Sequence, residues 1–158
     1  MKILITGATG LLGRSLVKTA LSKGIEINFL TTKKSKINCL NKAKGFYWNP
    51  SNGDLDTDCF LGVDIIIHLA GASISKLWTS SYKKLIFSSR VDSTRLLFSC
   101  LKQIGSRHKI KQIISASAVG IYPSDFEKKF SETAKVYPST FMEEVVNAWE
   151  NEVNSFDS

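Results

Sequence analysis

Apolar and polar positions follow two alternating periods along this chain. Residues 2–6 (Lys-Ile-Leu-Ile-Thr) form a short β-branched run and predict a strand. Leu12, Leu16, Val17, Ala20 and Leu21 recur at three- and four-residue spacing, which predicts a helix over 11–23 with Gly24 as its C-terminal stop. Strands are predicted at 25–30 and 45–48, separated by a lysine-rich stretch, 31–44, that fits neither period. Asn49, Pro50, Ser51, Asn52, Gly53 and Asp54 are dense turn chemistry. Residues 64–69 are almost wholly apolar, as befits a strand covered on both faces of a parallel sheet. One long helix is predicted over 79–104, ended by Gly105, then a strand at 110–115 and a last helix at 139–153. Strands alternating with helices imply a Rossmann-type, doubly wound parallel α/β sheet of about five strands, a single domain over 1–158.

Thr6-Gly7-Ala8-Thr9-Gly10-Leu11-Leu12-Gly13 sits between the first strand and the first helix. Gly-x-x-Gly-x-x-Gly in that setting reads as a dinucleotide loop. Gly7 permits the tight turn, Gly10 lets backbone approach a pyrophosphate, and Gly13 allows close helix packing. The free amides and positive end of the helix then hold the phosphates. NAD-binding chains usually end their second strand on a carboxylate that takes the ribose 2′-hydroxyl. Here the strand runs into Thr31, Thr32, Lys33 and Lys34, so NADP is favoured, with NAD still possible.

Further segments carry a family resemblance: His68-Leu69-Ala70-Gly71, Trp78-Thr79, Ser89-Arg90-Val91-Asp92-Ser93-Thr94-Arg95, Ser115-Ala116-Ser117-Ala118-Val119-Gly120-Ile121-Tyr122 and Ala148-Trp149-Glu150. With the glycine loop, these resemble the atypical branch of the extended short-chain dehydrogenases/reductases. That branch is the NAD-dependent epimerase/dehydratase family with its SDR39U1-like, predicted nucleotide-sugar epimerases. The resemblance implies cofactor contacts from Gly7, Ala8, Thr9, Gly10, Leu11, Leu12, Gly13, Thr31, Thr32, Lys33, Leu69, Ala70, Gly71, Leu85, Arg90 and Ser115. It places Ser117 at the family's catalytic serine, with Tyr122 as the nearest proton donor. His68 reads instead as a packed core histidine.

The hydride-transfer motif Tyr-x-x-x-Lys is missing. Tyr47, Tyr82, Tyr122 and Tyr137 are followed four residues on by Ser51, Ile86, Phe126 and Phe141. The expected helix carries Phe141 and Val145. Phenylalanine cannot donate a proton, and valine cannot hold a ribose. Two functions therefore stand side by side: an epimerase or reductase acting on a nucleotide sugar or a small carbonyl or hydroxyl compound, and a non-catalytic NADP-binding sensor or scaffold.

Composition narrows the partners. The net charge is +7, but it is scattered and mostly lysine, with arginine only at 14, 90, 95 and 107. That argues for a solvated surface rather than a nucleic-acid stripe. Three cysteines, an odd number without close pairing, disfavour a disulfide framework or zinc site and point to a cytoplasmic setting. No apolar run approaches the roughly 20 residues of a membrane span. A substrate lobe that extended members carry is not recognisable, so a truncated chain is expected. The outer strand would then be covered by a homo-oligomer or a missing C-terminal segment.

Overall fold

The computed structural model describes residues 1–125, 127–135 and 137–156; Phe126, Val136, Asp157 and Ser158 lie outside the description. The chain divides into two compact units, Met1–Ala116 and Ser117–Ser158.

The first unit is a six-stranded sheet in the order β4-β3-β2-β1-β5-β6. The strands are β1 (Lys2–Thr6), β2 (Glu26–Thr31), β3 (Lys44–Asn49), β4 (Asp54–Leu55), β5 (Ile65–His68) and β6 (Gln112–Ser115). All pairings are parallel except β3 with β4. The sixth strand, β4, is a two-residue hairpin arm. The turn chemistry at 49–54 folds it back, with Asn49 Oδ1 accepting from the Ser51 amide at 3.1 Å and Asn52 Nδ2 donating to Asp54 at 3.0 Å. Such a short arm carries too little hydrophobic pattern to stand out, so the five-strand expectation falls one short.

Strand alternation sends Ile3, Ile5, Ile27 and Phe29 to one face, where Val17 and Ala20 of α1 (Leu11–Ser22) complete a buried cluster. Leu4, Thr6, Ile66 and His68 point to the other face and are all buried. The helices α2 (Ser80–Ser88) and α3 (Val91–Ile104) follow β5. Thr94 of α3 reaches His68 on that second face, at 3.0 Å.

The single helix expected over 79–104 is broken at Ser89–Arg90, and the cause is competition for one carbonyl. The Ile86 oxygen should accept from the Arg90 amide. It accepts instead from Ser89 Oγ at 3.1 Å and Arg90 Nη1 at 3.1 Å, while the Arg90 amide donates to Phe87 at 3.0 Å. Side chains thus take over a rung of the ladder and turn the chain.

In the second unit, a 3-10 turn at Val119–Ile121 packs on α4 (Phe141–Asn154). Helix α4 opens with a capping box: Thr140 Oγ1 accepts from the Glu143 amide, and the Glu143 carboxylate takes the Thr140 amide at 3.2 Å.

Phe29 is fully buried in the α1-facing cluster. Phe29→Ala should cost about 3–5 kcal/mol and lower the thermal midpoint by on the order of 10 °C, read by circular dichroism. A shift of a degree or two would show that this cluster does not hold the first unit together.

Candidate functional site

β1 turns out of the sheet at Gly7, whose φ of 70° lies in the left-handed region. A Cβ there would stand 2.6 Å from the Leu69 carbonyl oxygen, so both the turn and the contact with β5 require glycine. A Cβ on Gly13 would overlap the Gly7 carbonyl and Ala8 Cα. The close approach that Gly13 permits is therefore to the loop itself rather than to the sheet. Gly10 is the N-cap of α1, with no side chain capping the first-turn amides and no acidic residue in that turn. Leu11 and Leu12 are 89% and 70% exposed, so the helix end stands open.

The Thr6 hydroxyl, beneath that loop, organises the neighbouring strand end. It accepts from the Leu69 and Ala70 amides, both at 3.0 Å, and lies 2.8 Å from His68 Nδ1. With two donors already pointing at it, its own proton goes to Nδ1. His68 must then carry its proton on Nε2 and donate to Thr94 Oγ1, which in turn donates to the Arg90 carbonyl at 2.7 Å. His68 is 1% exposed and meets Trp48 edge-on at 6.5 Å. It is a core histidine, and burial lowers its pKa to about 4.

A cleft of about 410 Å³ opens along the C-terminal strand ends. Gly7, Thr9, Thr31, Thr32, Ala70, Gly71 and Leu85, all expected from sequence, line it together. Ala8 is buried under the loop. Leu69 presents its carbonyl to Gly7 rather than to the cleft. Lys33 follows the β2 end outside the lining, and its amide donates to Thr31 Oγ1 at 3.3 Å. Ser115 lies on β6, its hydroxyl donating to the Ala116 carbonyl at 3.0 Å.

Arg90 stands behind Gly71, where a Cβ on the glycine would come 3.1 Å from its Cζ. Its guanidinium donates to the Ala72 and Ile86 carbonyls, and burial lowers its pKa. It braces the Gly71–Ala72 wall from outside the lining.

Sequence reasoning missed Leu30, Trp48, Asn49, Pro50, Ser51, Ala72, Ser88, Ser89, Asp92 and Ser93, which also line the cleft. Two signals pointed there. Asn49–Ser51 follow the end of a parallel strand, where open α/β sheets bind ligands. The polar run Ser88-Ser89-Arg90 interrupts the helical apolar period.

Ser117 and Tyr122 belong to the second unit. Ser117 Oγ donates to the Glu150 carboxylate on α4. Tyr122 stacks on Phe130 with centroids 5.4 Å apart and donates its proton to the Ser131 carbonyl at 3.2 Å. The two hydroxyls are engaged by different partners.

The model of the NAD dependent epimerase/dehydratase family matches residues 3–144. The chain belongs to that family. An epimerase family protein of Staphylococcus saprophyticus is 36% identical over 155 residues, which is 98% of this chain and 50% of that protein. One from Staphylococcus epidermidis is 34% identical over the same span. The chain thus spans about half the length of the curated relatives it matches. The structure of human epimerase family protein SDR39U1 with NADPH superposes with a TM-score of 0.76 at 20% identity, over 96% of this chain and 48% of the human one. A point-mutant Bacillus cereus UDP-glucuronic acid 4-epimerase, solved with NAD and a UDP-4-deoxy-4-fluoro-glucuronic acid, gives 0.77 at 20% identity, over 98% and 52%. These likenesses confirm the Rossmann-type fold. Among the described residues, no helix is long and apolar enough to cross a membrane, and no acidic, cysteine or histidine cluster suits a metal ion.

The family implies a dinucleotide, and the residues present fit one. The uncapped α1 amides suit a diphosphate, and the side-chain-free loop gives it backbone to rest on.

The unfolded chain protonates a histidine near pH 6.5, whereas folded His68 resists until about pH 4. Stability is therefore complete above about 6.5 and is lost as pH falls from there toward 4. The Asp64 and Glu143 carboxylates, lowered chiefly by backbone hydrogen bonds, lose their contributions only further into acid. Thermal midpoints should decline across the 6.5–4 window, and the His68 ring resonances should keep their neutral Nε2–H pattern down to about pH 4. A His68 titration near 6.5 would contradict the bonding pattern.

Proposed function

We propose that the first unit binds NADP(H), diphosphate on the α1 amides and adenosine half toward β2 and β3, for oxidation and reduction at a nucleotide-sugar or small carbonyl/hydroxyl substrate in the cytoplasm. The observation that carries this reading is the open, uncapped α1 end beside a β2 terminus of Thr31 and Thr32 with no carboxylate. A carboxylate at that terminus would repel a 2′-phosphate. Two hydroxyls and a following lysine welcome it. When bound, the nicotinamide ring supplies a reversible hydride acceptor.

For this chain's own residues, Gly7 and Gly13 keep the phosphate cradle open, Arg90 braces the Gly71–Ala72 wall, and Ser117 is the proposed ligand of the substrate oxygen. Tyr122 serves as proton donor only if its hydroxyl leaves the Ser131 carbonyl.

A second reading, a non-catalytic NADP-binding module, is favoured by α4. Phe141 and Val145 occupy the place where the resemblance expects Tyr-x-x-x-Lys, and Val145 is fully buried. UDP-glucose and UDP-glucuronic acid, with nicotinamide absorbance as the readout, separate the two readings. Turnover abolished by Ser117→Ala supports the enzyme, and binding without turnover supports the module.

Calorimetry on the full chain should give NADPH an affinity about tenfold or more above NADH. Thr32→Glu should erase that preference by placing a carboxylate against the 2′-phosphate. Tighter NADH binding by the unaltered chain would overturn the cofactor assignment.

A further inference from the structure

Asp92 is the one ionisable side chain among the described residues lining the cleft, and neither the diphosphate nor the 2′-phosphate of a dinucleotide gives it a task. It stands in the first turn of α3, where Arg95 takes its Oδ1 at 3.2 Å. A carboxylate only accepts hydrogen bonds, and it repels phosphate. In a cleft for a polyanion it suits a position where the ligand presents N–H or O–H donors. A nicotinamide adenine dinucleotide offers three kinds: the exocyclic amine of adenine, the ribose hydroxyls and the nicotinamide carboxamide.

Position chooses among them. The cleft is lined from the ends of β1, β2, β3 and β5, with no residue of β6, so it follows the adenosine side of the sheet. Thr31 and Thr32 stand at the β2 end, where the adenosine ribose belongs. Beyond β2 come Trp48, Asn49 and Pro50 of the β3–β4 hairpin, and α3 packs against β4. Leu30 and Leu85 add apolar surface, so this part of the cleft suits a flat heterocycle with Asp92 beside it.

We propose that Asp92 accepts a hydrogen bond from the exocyclic amine of the adenine ring and makes the cleft selective for adenine over a 6-oxopurine. A 6-oxopurine sets a carbonyl oxygen against the carboxylate. The inference rests on the reading of the cleft as a dinucleotide site.

Calorimetry on the full chain with NADPH and with reduced nicotinamide hypoxanthine dinucleotide phosphate tests it. The unaltered chain should bind the adenine form about tenfold or more tightly. In Asp92→Asn the ratio should fall to within about twofold, because a carboxamide can turn its N–H toward the hypoxanthine carbonyl. Loss of a helix-end carboxylate alone weakens both ligands alike and leaves the ratio unchanged. Equal binding of the two by the unaltered chain, or a ratio that survives Asp92→Asn, overturns the inference and leaves the dinucleotide reading standing. Binding of neither ligand removes that reading and the inference together.

Discussion

The site depends on how tightly the end of β1 is pinned to the end of β5. Gly7 turns so close to the Leu69 carbonyl that no Cβ fits, and the Thr6 hydroxyl collects the Leu69 and Ala70 amides. These strands flank the point where the chain, having built the sheet outward from β1 through β4, returns on the other side of β1. A crevice opens at such a reversal because the connections leave in opposite directions. Thr6 and Gly7 set its floor. Through His68 and Thr94, the same hydroxyl also reaches the Arg90 carbonyl at the start of α3. One bonding chain therefore sets the glycine loop, the Ala70–Gly71 segment and the helix opposite. It is buried, so each missing partner would leave an unsatisfied polar group costing about 1–3 kcal/mol.

That arrangement makes a cleft suited to an anion through backbone rather than through side-chain charge. Apart from Asp92 its described lining is neutral, although the chain carries a net +7. Exposed lysines more than about a Debye length away, roughly 8 Å at physiological salt, raise encounter rates more than they hold a bound ligand. Holding such a ligand would fall to the α1 amides and their dipole, whose effect dies away within the first turn. Arg90, the cation nearest the wall, spends its donors on the Ala72 and Ile86 carbonyls. Its work is to hold Gly71 and to break the helix, and the break turns Ser88, Ser89 and Asp92 toward the cleft.

The pattern of residues revealed the parallel strands because β1, β2 and β5 are short, mostly apolar runs bounded by turn or polar residues, and it revealed α1 because its buried stripe is regular. It revealed the glycine loop because three glycines at fixed spacing have few other uses between a strand and a helix. It could not show the elbow at Ser89–Arg90. The polar Ser88-Ser89-Arg90 run interrupts the apolar period without ending a helix by itself; the break comes from the Ser89 and Arg90 side chains taking the Ile86 carbonyl, held there by their bonds to Ala72, a residue far away in sequence. Nor did the turn chemistry by itself single out the β3–β4 hairpin as one wall of the cleft. Asn49, Pro50 and Ser51 read locally as a turn, and only the pairing of β3 beside β2 carries them to the site.

The candidate cofactor cleft and the candidate catalytic hydroxyls fall in different units of this chain. The cleft and all its lining lie within Met1–Ala116, while Ser117, Tyr122 and α4 lie within Ser117–Ser158. The first unit builds its cradle from backbone and buried hydroxyls, an arrangement that tolerates wide change in exposed residues. The second offers one hydroxyl held by a carboxylate and one held by a carbonyl, with Phe141 and Val145 on α4 where the family resemblance leads one to expect a tyrosine–lysine pair. A positioned general acid or base contributes about 10²–10⁴-fold to such reactions. A chain without one can keep its cofactor affinity and still lose most of its rate. On the proposed reading, cofactor affinity and catalysis would therefore be separable properties, and the geometry of the first unit bears on affinity alone.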